Sequence, residues 1–214
     1  MNNNLIHCLT TLKTLLSTTD IQLSHLQEIS VEVKELIPNK YCFDEQKYPR
    51  LGFTLSYDDL VPFLKENNTI ATALDFEQAT QDNPFAKLLY ATLWKNGDII
   101  KIKHIVNGIQ DISRQNGIRQ GSANNGWVFY QFGRHLADPK EPIVDQHTIR
   151  AYKILTQDIN FENVYKATYV SRDNLIAYCK WIKLIKFSNS EKTECQHLLD
   201  KILFTLGKAA KNIN

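Results

Sequence analysis

Apolar residues in this chain return every three to four positions, and no run of alternating apolar and polar residues lasts long enough to make a sheet. That period fixes the fold class as all-α, a multi-helix protein with room for one short β-hairpin. The spacing predicts helices over about 4–17 and 20–36, the second opening at Thr19 or Asp20 and stopping before Pro38. Ser56 is placed to cap a helix near 57–66, with Asp58 and Asp59 in its first turn, where the helix dipole favours carboxylates. Asn83 and Pro84 open a further helix, with Phe85, Leu88, Leu89 and Leu93 as one apolar stripe, and Asn96-Gly97 closes it. From Asp98 onward Ile99, Ile102, Val106 and Ile109 face a core, while Lys101, Lys103 and His104 are left to face out. Helices follow at about 126–136, 145–156, 172–187 and 190–210, with Ser171 and Ser190 as caps. The irregular stretch 37–55, with Tyr41, Phe43, Tyr48 and Phe53, is where the hairpin would fall.

The 214 residues fit a single helical domain, two-lobed, over 1–214. No stretch approaches the roughly 18–20 consecutive apolar residues of a membrane helix. The opening MNNNLIHCLTTLKTLL lacks a basic start and a small-residue cleavage site, so it reads as a helix rather than a signal peptide. Cys8, Cys42, Cys179 and Cys195 lie 34, 137 and 16 positions apart, which matches neither a zinc framework nor a disulfide scaffold. Free thiols in a reducing, cytoplasmic setting are expected. The six histidines form no His-x-x-x-His pair, and no metal or other cofactor is expected.

Charge is unevenly distributed. Residues 1–84 carry 6 basic against 12 acidic side chains, and residues 85–214 carry 19 against 11. Such a split suits a protein that offers a positive face to a polyanion, and the acidic first third could serve a protein partner.

The most informative string is 121-GSANNGWVFYQFGRHLADPKEPIVDQHTIRAY-152. It reads as a polar Gly-rich turn, an apolar helix, a Pro-bounded loop and a second helix opened by Asp145. Val144 and Ile149 occupy the two positions of a hydrophobic staple around that opening. The order of turn, helix, loop and Pro-Ile-Val-Asp-Gln-His resembles the helix-hairpin-helix DNA glycosylase superfamily, most closely its 8-oxoguanine glycosylase branch. The resemblance covers roughly 40 residues, with 84–156 as the implied helix-hairpin-helix core.

The resemblance implies double-stranded DNA as partner, excision of a damaged or modified base, and Asp145 as the catalytic carboxylate. Cleaving an N-glycosidic bond builds positive charge on the sugar, which a fixed carboxylate stabilises. It also implies a flipped nucleotide, with Trp127 as a candidate wall of the base pocket. His147 would meet the DNA backbone. Gly121, Ser122, Asn124, Asn125 and Gly126 would form the hairpin, whose backbone amides approach a phosphate. Lys101, Lys103, Arg119 and Arg134 are the nearby basic candidates, with Arg114 beside them. The basic stretch Lys180, Lys183 and Lys186, interleaved with Tyr178, Trp181 and Phe187, could track a backbone as well.

Two departures stand out. The hairpin lacks the family's glycine spacing, and the position of the lysine nucleophile used by bifunctional members falls at Gly126-Trp127. A monofunctional glycosylase, with water as nucleophile, is therefore the expected enzyme. A nucleic-acid-binding module without catalysis and a helical partner-binding protein are the alternatives. Some relatives of these glycosylases occur in bacterial antiviral gene clusters.

Overall fold

The computed structural model describes residues 3–61, 84–120, 126–157 and 169–212. Its helices are α1 (Asn3–Leu16), α2 (Leu23–Leu36), α3 (Tyr57–Leu60), α4 (Pro84–Asn96), α5 (Ile102–Ser113), α6 (Trp127–Ala137), α7 (Gln146–Thr156), α8 (Arg172–Leu184) and α9 (Lys192–Lys211). The protein is all-α, as the periodicity requires. The chain divides into two units, one built from Met1–Leu51 with Pro142–Asn214 and the other from Gly52–Glu141. The division passes between α6 and α7, inside the 84–156 core that the sequence suggests.

In the first unit α9 is the central element, in contact with α7, α2 and α1, while α8 lies against α7. Leu199, Leu203 and Leu206 of α9 are fully buried, as are Leu5 and Leu12 of α1 and Leu26 of α2. Each such side chain is worth about 1.5–3 kcal/mol of transfer free energy. No β-hairpin forms in 37–55. That stretch holds a 3-10 turn at Asn39–Tyr41, and Phe43 and Tyr48 turn instead onto Phe204 of α9, with ring centroids 5.4 and 6.3 Å away. Among the described residues the one β-type pairing is an isolated parallel bridge, Ile21 to Phe187.

That bridge explains why α2 starts later than its sequence suggests. Asp20 takes a left-handed φ of 62°, and the Ile21 N–H donates to Lys186 O at 2.8 Å. Helical geometry then begins only after Gln22. Glu191 is drawn into the same junction, accepting from the Leu23 N–H at 3.0 Å. It stands at the start of α9 in place of the expected Ser190 and makes no side-chain cap bond there.

In the second unit α5 and α6 make the principal contact. Two glycines permit it. A Cβ on Gly108 would stand 2.0 Å from Tyr130 O, and one on Gly133 would stand 2.0 Å from Ile105 O, so the backbones meet where no side chain fits. Val106 and Ile109 are buried as expected. Gly97 closes α4 with φ 69°, and the Asp98 N–H reaches back to Leu93 O at 2.9 Å, the wrapped helix end that glycine favours. The anticipated α4 stripe fails at two positions, since Leu88 and Leu89 are 62% and 48% exposed. The Asn83 cap and the far end of the 57–66 helix lie outside the described residues. No described helix is long and apolar enough to cross a membrane.

Candidate functional site

Asp145 ends the loop Pro142–Val144 and is the N-cap of α7. Its Oδ1 accepts from the His147 N–H at 2.7 Å and the Thr148 N–H at 2.8 Å. The Thr148 hydroxyl accepts the Asp145 N–H at 2.9 Å, which completes a reciprocal cap. Val144 and Ile149, the two staple positions, are both buried. All of this restraint falls on one oxygen. Among the described residues no hydrogen-bond donor reaches Oδ2, and Asp145 is only half-buried.

The loop before it is held from behind. Asp200 of α9 accepts the Ile143 N–H on Oδ2 at 3.3 Å and the Tyr178 hydroxyl on Oδ1 at 3.1 Å. Burial pushes the Asp200 carboxyl up to about 7 against the pull of these two bonds, and the nearby Asp145 charge adds to the rise. The start of α7 also sits tight against α9. A Cβ on Gly207 would lie 1.9 Å from His147 O, so only glycine allows this approach.

His147 occupies the first turn of α7, half-buried, its ring edge-on to Phe204 with centroids 5.0 Å apart. Lys208 lies over the same Phe204 ring. Burial lowers the His147 pKa. Arg150, Lys211 and Lys208 lower it further, and Asp145 opposes them. Arg150 is fully buried. Its Nη1 lies 3.0 Å from both Gly207 O and His147 Nδ1, while Nε and Nη2 have no partner among the described residues. Tyr152, Tyr178 and Trp181 form an aromatic group where α7 meets α8, with centroids 5.1–5.9 Å apart.

Lys101, Arg119 and Arg134 have acidic partners within the second unit. Lys101 pairs with Asp98 and lies over the Phe129 ring at 4.8 Å, rather than facing out. Arg119 grips both Asp111 oxygens, Nε at 2.7 Å and Nη2 at 2.9 Å. Tyr130 donates to the same Asp111 at 2.8 Å. Burial works to raise the Asp111 pKa, and these bonds overcome it, leaving the carboxyl below its ordinary value. Arg134 is buried, donating to Glu141 at 3.2 Å and to Asn116 O at 3.3 Å. Lys103 and Arg114 are exposed. Trp127 is buried edge-on against Tyr130, at 5.4 Å, in the core of this unit.

Gly126 takes an ordinary φ of −89° as the N-cap of α6. A Cβ there would meet only the tip of the His104 side chain, at 2.5 Å, a contact the ring can relieve by turning aside. Gly121, Ser122, Asn124 and Asn125 lie outside the described residues. Asp145 and His147 thus belong to the first unit, and the described hairpin-flanking candidates belong to the second. Arg150, Asp200 and Gly207 escape the sequence reading. For Arg150 one signal is present, its position three residues after His147 on one helix face. Among the described residues no group of three or more potential metal ligands is found. Comparison with family models, with curated proteins and with solved structures finds no match.

Proposed function

We propose that this chain is a DNA N-glycosylase of the helix-hairpin-helix type, monofunctional, excising a damaged or modified base from double-stranded DNA with Asp145 as its acid group. One observation carries the reading. The Asp145 carboxylate is immobilised through Oδ1 by two backbone N–H groups, while no described donor reaches Oδ2. A carboxylate so oriented can face a sugar that turns cationic as its base departs, and it does not have to reorganise at that moment. The same oxygen can take a proton from the attacking water. With no lysine at the hairpin position, no amine–sugar adduct forms, and the product is an abasic site.

The charge-neutral variant Asp145→Asn tests this directly, because asparagine caps a helix as well as aspartate does. The assay measures binding to a duplex bearing a cationic abasic-site mimic, against a neutral mimic and an undamaged duplex. A transition-state-like cation should bind at least about a hundredfold more tightly than its neutral counterpart. Asp145→Asn should erase that preference and leave the remaining DNA affinity in place. Equal affinity for all three duplexes would replace catalysis with a binding role. Absence of DNA binding at moderate salt would remove nucleic acid from the account and point to a protein partner.

A further inference from the structure

A guanidinium has five N–H donors and no acceptor, whereas a neutral imidazole has one of each. Where Arg150 Nη1 stands 3.0 Å from His147 Nδ1, the proton between them belongs to the arginine. Nδ1 must then present a lone pair, and the ring proton must sit on Nε2. A doubly protonated ring would set N–H against N–H at this contact. The arginine has little freedom to turn away, since its Nη1 also donates to Gly207 O at 3.0 Å and its side chain is fully buried.

Packing alone gives no reason for an arginine here. Two of its three nitrogens, Nε and Nη2, are buried without a partner among the described residues, and each unmade bond of a buried polar group costs about 1–3 kcal/mol. An apolar side chain of the same length would fill the space without that cost.

We propose that Arg150 is a positioning residue that locks His147 in its neutral Nε2–H tautomer. The locked ring carries a single donor, Nε2–H, which no described protein acceptor occupies. The charged groups around it are Asp145 at the helix start, Arg150 on the same helix, and Lys208 and Lys211 on α9. Three of these four are cations, so the acceptor that suits the donor is an anionic oxygen. On the glycosylase reading, on which this last step rests, that oxygen belongs to a backbone phosphate. The interaction then depends on a fixed N–H rather than on a ring that must gain a proton.

Long-range proton–nitrogen correlation spectra of histidine-labelled protein at neutral pH test the lock, with His147→Gln identifying the His147 signals among the chain's six histidines. The wild type should show Nδ1 bare and Nε2 protonated. Arg150→Met, which keeps bulk and removes the donor, should give a mixture of tautomers, and Arg150→Lys should restore most of the wild-type pattern. A wild-type ring protonated on Nδ1, or on both nitrogens, would overturn the proposal. So would an unchanged tautomer in Arg150→Met. The wild-type spectrum decides the first point even if the methionine variant fails to fold. In the DNA assay, Arg150→Met should weaken binding by about tenfold, the loss of one well-oriented charge-assisted bond, with partial recovery in Arg150→Lys. A chain that binds no DNA would end the glycosylase reading, while the ring spectrum would still decide the lock.

Discussion

Among the described residues Asp200 is a buried carboxyl with two hydrogen-bond donors and no cationic partner, and replacing it with asparagine turns that arrangement into a measurable pH dependence. Its pKa stands at about 7 in the folded protein against an ordinary 3.8. The folded state therefore holds this proton more tightly than the unfolded chain does. Between those two values only the folded state is protonated, and the slope of stability with pH is negative, about 1.4 kcal/mol per pH unit. The contribution is fully present below the unfolded pKa and is lost as pH rises through the folded one, a total of about 4 kcal/mol.

Asp200→Asn cannot titrate, and it can keep both contacts. Its amide oxygen can accept the Ile143 N–H while its amide nitrogen donates to the Tyr178 oxygen. Urea unfolding of both proteins at about pH 5 and about pH 8 should show the variant gaining on the wild type by about 3 kcal/mol across that interval. Taking the difference cancels the other titrating groups. A gap that stays constant from the lower to the higher pH would refute the argument and show Asp200 to be an ordinary ionised carboxylate.

Other outcomes follow from the same geometry. Gly207→Ala sets a methyl group 1.9 Å from His147 O. It should cost about 2 kcal/mol in urea unfolding, overriding the helix-propensity gain, and should weaken DNA binding by displacing the start of α7. Asp111→Ala strips the acceptor from Arg119 and from the Tyr130 hydroxyl and should cost about 2–3 kcal/mol; a loss below about 0.5 kcal/mol would make the network incidental. Asp145→Ala should cost about 1 kcal/mol where Asp145→Asn costs almost nothing, which separates the cap from the charge. Burial raises the Cys8 thiol to about 11, so it should resist alkylation at mildly alkaline pH until the protein unfolds, as mass mapping would report.

Much of the local structure is legible in the sequence because its causes are local. The Asp145, Ser171 and Ser56 caps form as the residue types dictate, Gly97 ends α4, and the staple pair Val144 and Ile149 is buried. What sequence misses depends on distant partners. Lys101, Arg119 and Arg134 look alike as exposed basic residues until Asp98, Asp111 and Glu141 claim them. Phe43 and Tyr48 suggest a strand until α9 supplies Phe204. Asp200 lies 57 residues from the loop it anchors, which no motif spacing reveals.

The first unit is assembled from the two ends of the chain, with Gly52–Glu141 threaded between them. On a ribosome, α1 and α2 emerge long before α9, the helix they pack against. Their apolar faces must wait, exposed, while the 155 residues between α2 and α9 are made, at a synthesis rate of about 5–20 residues per second. The second unit is one unbroken segment with no such delay. On the nascent chain the Gly52–Glu141 unit should therefore fold before the unit built from the two flanking segments. A chaperone that shields helices would be most needed by residues 1–51.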